Sequence, residues 1–131
     1  MANEAVLWME FNPAIPFTCA EGTGIEKGTA VTLSDPMTVA ACTDSTTAQG
    51  GIVAVEKVAS DGNTKVAVHR DGIFVVYCSG AVTVGQACAF QDNYVCECIV
   101  NQEHYAGIAL ETGADGEKIL FELRPGHLNL A

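Results

Sequence analysis

Basic residues are scarce in this chain. Six Lys and Arg stand against sixteen Asp and Glu, for a formal net charge of -10. A nucleic-acid surface needs a patch of cations to meet phosphates, so no nucleic-acid partner is expected. An anionic membrane is disfavoured for the same reason. Long apolar runs are missing too: no stretch approaches the ~18 residues of a membrane helix. The opening "MANEAVLWMEF" is apolar only briefly, because Glu4 and Glu10 interrupt it. It has no basic leader and no cleavage pattern, so a signal peptide is not expected. On that reading the protein is made in a reducing cytosol, and its six cysteines are expected as thiols. Aromatics make up only 7%, which is little for an aromatic-walled ligand pocket. No convincing stretch of helix periodicity is present.

The signatures of common chemistry are also lacking. There is no G-x-S-x-G, and Ser79 in "CSG" has no evident base. There is no H-E-x-x-H, and His69, His104 and His127 have no partner at metal spacing. They read as solvated or interface histidines. "GTGIEKGT" at Gly22–Thr29 looks glycine-rich, but Lys27 precedes Gly28 and a strand follows. A phosphate loop needs Gly-Lys-Ser/Thr opening a helix. The carboxylates Asp35, Asp44, Asp61, Asp71, Asp92 and Asp115 fall mostly in turns, where Asp bonds its own backbone. No catalytic residue, metal ligand or cofactor site is expected, and the chain does not read as an enzyme.

The cysteine cluster "GQACAFQDNYVCECIV" tests that conclusion. C-x-C with Cys88 upstream is not zinc-knuckle spacing, and no C-x-x-C is present. The segment also has a counterpart. "GTAVTL" from Gly28 resembles "GQACAF" from Gly85, and "TVAACT" from Thr38 resembles "YVCECI" from Tyr94. "GIVAVE" from Gly51 resembles "GIALE" from Gly107, and "DGNTKVAVHRDG" from Asp61 resembles "DGEKILFELRPG" from Asp115. Four matches in order point to a duplicated unit of roughly fifty-five residues. In this register Cys88 falls on Val31 and Cys98 on Cys42, so the cysteines read as small packing residues.

Strands are expected at 30–33, 37–41, 52–58, 64–70 and 73–78, then at 87–90, 94–99, 107–111 and 118–123. "SDG" at 60–62 and "ADG" at 114–116 are turn signals. Lys65 and Lys118 lie one residue closer than Gly62 and Gly116, so a bulge or register change is implied. The fold class is all-β: a compact barrel or two-sheet sandwich built from a duplicated β unit, with an extended N-terminal arm. The arm is 1–24 and the β domain 25–131, with copies at about 25–78 and 79–126. The arm could form a short helix, a strand or an extended segment. It carries Val6, Leu7, Trp8, Met9, Phe11, Ile15 and Phe17, too apolar for a solvated tail. These are the candidate partner-binding residues.

Several of these stretches resemble the head decoration, or cement, proteins of tailed bacteriophages. The resemblance rests on Lys27–Gly28 before a first strand, Gly51–Ile52, Arg70–Ile73, the connector Ser79–Gly85, and Gly107–Leu110, and it covers roughly residues 25–124. It implies a structural virion protein, assembled in the host cytoplasm, that binds the exterior of an icosahedral capsid and stabilises it. Its partners would be the major capsid protein and further copies of itself, as a dimer or trimer. The competing expectation is a β-barrel ligand- or carbohydrate-binding module.

Overall fold

A computed structural model describes residues 4–19, 24–34, 37–43, 48–58, 62, 64–98 and 104–127. Ser60 and Asp61 of the first turn signal, and the turn carboxylates Asp35 and Asp44, lie outside them. Among the described residues there are eleven strands, and ten of them form two closed five-strand barrels. The first barrel contains β2 (Ile15–Thr18), β3 (Ala30–Ser34), β4 (Thr38–Ala41), β5 (Gln49–Val53) and β6 (Lys65–His69). The second contains β7 (Gly72–Cys78), β8 (Ala87–Gln91), β9 (Tyr94–Glu97), β10 (His104–Ala109) and β11 (Lys118–His127). Strand β1 (Val6–Met9) is added to the second barrel beside β7.

The two barrels have one topology. Around the first the order is β2-β4-β3-β5-β6, and around the second β7-β9-β8-β10-β11. Each closes through one parallel pair, β2 with β4 and β7 with β9, while the other pairings are antiparallel. The backbone hydrogen bonds repeat as well. Cys42 N–H donates to Ala30 O as Cys98 N–H donates to Ala87 O. Gly28 N–H donates to Val53 O as Gly85 N–H donates to Ala109 O. The equivalence of Cys98 with Cys42 is therefore structural. The duplicated unit is a whole barrel.

The unit starts earlier than the sequence suggested. Cys19 N–H donates to Thr64 O, and Cys78 N–H donates to Glu117 O. Strand β2 is thus the counterpart of β7. Residues 15–18, expected in the arm, are a barrel strand, and residues 73–78, expected to end the first copy, open the second barrel. Pro16 fits in β2 because β4 reaches that strand only at Thr18. The other side of β2 pairs with β6 from Ile15 to Thr18. A missing N–H is tolerated where one flank of a strand is unpaired.

Alternation explains the interiors. Along β7, Phe74, Val76 and Cys78 point inward, and along β11 Ile119, Phe121 and Leu123 do. Phe90 and Phe121 meet edge to face with ring centroids 5.6 Å apart. The first barrel is filled by smaller groups, with Phe17, Ile25, Val31, Val39, Val53 and Val68 among them. Ala30, Cys42 and Ile52 turn the other way and join the core of the second barrel. The barrels therefore share a packed seam.

The strand expected over 52–58 ends at Val53. Two irregularities interrupt the ladders, away from the Gly62–Lys65 stretch where the copies differ in length. Gly50 is an extra residue in β5 opposite the Val31–Thr32 step, and β10 and β11 slip register between Tyr105 and Gly107.

Candidate functional site

The N-terminal segment from Glu4 to Ala14 is a strap fastened at both ends. Ala5 N–H donates to Gly28 O at 2.9 Å, and the Ala5 side chain is buried in the core cluster of the second barrel. A side chain at Gly28 would collide with the Ala5 carbonyl and Glu4, so glycine permits this close approach. At the far end Asn12 Nδ2 donates to Asp71 Oδ2, and Ile15 enters the first barrel opposite Val68. Between these anchors β1 pairs with β7: Val6 lies opposite Val75, Leu7 opposite Phe74 and Met9 opposite Ile73. Trp8 is the extra residue of a bulge in that ladder. Bulges re-aim side chains, and Trp8 is 56% exposed.

The seven candidate arm residues divide. Val6, Leu7, Trp8, Met9, Phe11 and Ile15 are exposed. Phe17 is 4% exposed and belongs to the first barrel's core, because β2 alternates and closes that barrel. It is not a surface residue. The others form an apolar display held on a fixed backbone.

A groove of about 540 Å³ opens beside β2, lined by Ile15, Phe17, Leu33, Ser34, Met37 and Arg70. Met37 is exposed and has φ 48°, an uncommon conformation for a residue with a side chain. Arg70 and Leu33 also border a second concavity of about 270 Å³, with Ala48, Gln49, His104, Pro125 and Gly126. Arg70 Nη1 donates to Gln49 O at 3.3 Å and to Gly50 O at 3.1 Å. Burial lowers its pKa. In the sequence Arg70 stands out only as the first residue of the Arg70–Ile73 stretch. Its role depends on the Gly50 bulge, which no local pattern announces.

The cysteines are placed for packing. Cys42, Cys78 and Cys88 are fully buried, while Cys96 and Cys98 are half-buried. Their thiols donate to carbonyls: Cys42 to Phe90 O at 3.1 Å, Cys88 to Gln86 O at 3.5 Å and Cys96 to Ala89 O at 3.6 Å. Burial pushes the Cys88 pKa up to about 12 and that of Cys98 up to about 11. Neutral thiols are poor nucleophiles. Among the described residues, no three His, Cys, Asp or Glu side chains converge on a metal-sized site.

His69 departs from its expectation. It is buried at 6% exposure and packs edge to face on Phe74, with ring centroids 5.6 Å apart. The end of β6 lies under the strap, which takes the ring out of water. Its Nδ1 has no hydrogen-bond partner among the described residues. A cavity of about 80 Å³ there is also bordered by Ala5, Leu7 and Gly28.

No protein-family pattern and no curated protein matches the chain in sequence. In three dimensions it is similar to the N base of head fiber gp8.5 of bacteriophage phi29. That match has a TM-score of 0.55 and 13% sequence identity, and it covers 88% of this chain and 98% of that one. At this identity the likeness is one of fold, and it extends over nearly the whole of that chain.

Proposed function

We propose that this chain is a structural protein of a phage head, attached to the outer face of the capsid and stabilising it. The observation that carries the proposal is the strap. It displays Val6, Leu7, Trp8, Met9 and Phe11 from a backbone fixed by Ala5, Asn12 and β2, where exposed Ile15 follows. A free apolar tail would lose conformational entropy on docking, whereas a strap already ordered loses little. Burying its apolar surface against the major capsid protein would contribute about 25 cal/mol per Å². The fold likeness to a phage head fiber base supports the same reading. The acidic charge keeps such a protein soluble at high concentration before assembly. Self-association as a dimer or trimer on the shell belongs to this proposal.

Co-sedimentation with undecorated heads tests it. Wild-type protein should pellet with the particles, and the triple variant Trp8→Ser, Met9→Ser, Phe11→Ser should stay in the supernatant while remaining folded. Full occupancy by the folded variant rules out the strap as anchor. Wild-type protein that never pellets with heads removes the capsid reading itself. Truncation through residue 17 is unsuitable, since it deletes most of β2 and the core residue Phe17. The carbohydrate-module alternative gains no support from the two barrel-side grooves. Among the described residues, the one Phe, Tyr or Trp lining them is Phe17, a core residue only 4% exposed, which leaves little face for a sugar to stack on.

A further inference from the structure

From the groove beside β2 we infer a second recognition site, one that takes an extended peptide segment carrying an apolar side chain and a carboxylate. The first concavity supplies Ile15, Phe17, Leu33 and Met37 as walls, with a volume that leaves ample room for an aliphatic side chain and the backbone beside it. Arg70 stands where this concavity meets its smaller neighbour, since it borders both.

The guanidinium is built into place. The extra residue Gly50 breaks the β3–β5 ladder, and Arg70 Nη1 bonds the carbonyls of both Gln49 and Gly50. Those two bonds fix the plane of the group while occupying only one of its three nitrogens. An arginine has five N–H donors, so these two bonds leave most of its donor capacity for a ligand as far as the described residues go. Among the described residues, no carboxylate lies within ion-pair distance of it or lines either concavity. A fixed cation in a chain of net charge -10, half-buried and beside an apolar wall, complements an apolar segment with one acid.

An extended segment fits this layout better than a compact ligand does. Residues i and i+2 of a strand share one face about 7 Å apart. An apolar residue at i would fill the first concavity and an Asp at i+2 would reach Arg70. Backbone continuing past Arg70 would lie along the concavity bordered by Pro125 and Gly126. This site is separate from the exposed strap residues 6–11, so it stands or falls independently of capsid docking.

The test uses isotope-labelled full-length protein and an N-acetylated, C-amidated serine octapeptide with one leucine and, two residues later, one aspartate. Titration should move the backbone amide signals of Leu33, Ser34, Met37 and Arg70 in a saturable way. Replacing the peptide aspartate by asparagine should weaken binding roughly tenfold, the scale of a charge-assisted bond. Replacing its leucine by alanine should weaken it comparably. On the protein, Arg70→Lys should reproduce the loss seen with asparagine, and Met37→Ser, at an exposed position, should reproduce the loss seen with alanine. Equal binding of the aspartate and asparagine peptides would overturn the inference, as would saturable shifts confined to other surfaces. Absence of any saturable shift at millimolar peptide would overturn it as well. The strap triple variant should bind the peptide like wild type, which separates this result from the capsid assay.

Discussion

The side-chain oxygen of Gln49, on β5 of the first barrel, accepts the backbone N–H of Phe90, on β8 of the second, at 3.0 Å. Asn93 reciprocates from the second barrel, its Oδ1 accepting the N–H of Ala30 at 3.0 Å. Both bonds are buried, and both satisfy a strand N–H from across the seam between the barrels. The change Gln49→Leu would leave the Phe90 donor buried and unpaired, a cost of about 1–3 kcal/mol. Urea denaturation should show that loss in a single transition, because Ala30, Cys42 and Ile52 pack within the second barrel's core. Two resolved transitions in the wild type would show that the seam does not couple the barrels.

The glycine of the repeated G-I pair answers to a close crossing. A Cβ at Gly51 would run into the His69 carbonyl, and one at Gly107 would run into the carbonyl of Glu122. Gly51 also has φ 130°, which side chains rarely adopt. The change Gly51→Ala should therefore destabilise the protein by about 2 kcal/mol or more, read as a lowered midpoint in thermal or urea unfolding. A neutral result would mean that β6 can move aside at no cost.

Much of this fold was legible in the chain. The glycine pairs and the alternating runs located nine of the strands and the duplication, because closely packed barrels constrain small residues and inward faces alike. The start of the first copy was not legible. Cys19 to Ile25 spans two more residues than Cys78 to Val82, so "FTC" and "VYC" fall out of register with the matches that follow. Pro16 further disguised β2 as part of an arm. Trp8 and Phe17 fall in one apolar run of the sequence, and nothing local separates a strap from a barrel strand. The Arg70 groove needed the Gly50 bulge, and a bulge is decided by the partner strand.

The cysteines carry a pH signature. In the folded protein Cys88 holds its proton up to about 12 and Cys98 up to about 11, chiefly through burial, against an ordinary value of 9.0. The unfolded chain releases those protons first. Their contribution to stability is thus complete below pH 9 and is lost as pH rises toward 11 and 12. Native protein at pH 8 should resist a thiol reagent at Cys88, and stability should fall as pH passes 9. The change Cys88→Val installs the residue used at the equivalent Val31 and should cost less than about 1.5 kcal/mol. It should also flatten part of the alkaline loss. An alkaline slope unchanged in the double variant Cys88→Val, Cys98→Ala would assign the effect to other groups.

Phe17 and Trp8 belong to one apolar run, and the structure gives them opposite roles. Phe17 is 4% exposed within the first barrel, so Phe17→Ala should cost about 3–5 kcal/mol by opening a cavity in a small core. Trp8 is 56% exposed at a bulge, so Trp8→Ser should shift stability by no more than about 0.5 kcal/mol. Binding to heads should show the reverse order. Trp8→Ser should weaken it strongly at unchanged melting temperature, because central exposed aromatics dominate protein interfaces. Phe17→Ala should weaken binding only as far as it unfolds the barrel that anchors the strap. Measuring both variants by thermal melt and by co-sedimentation separates the roles. A Trp8→Ser variant that melts early would place the ring in the fold and count against the strap as a docking surface.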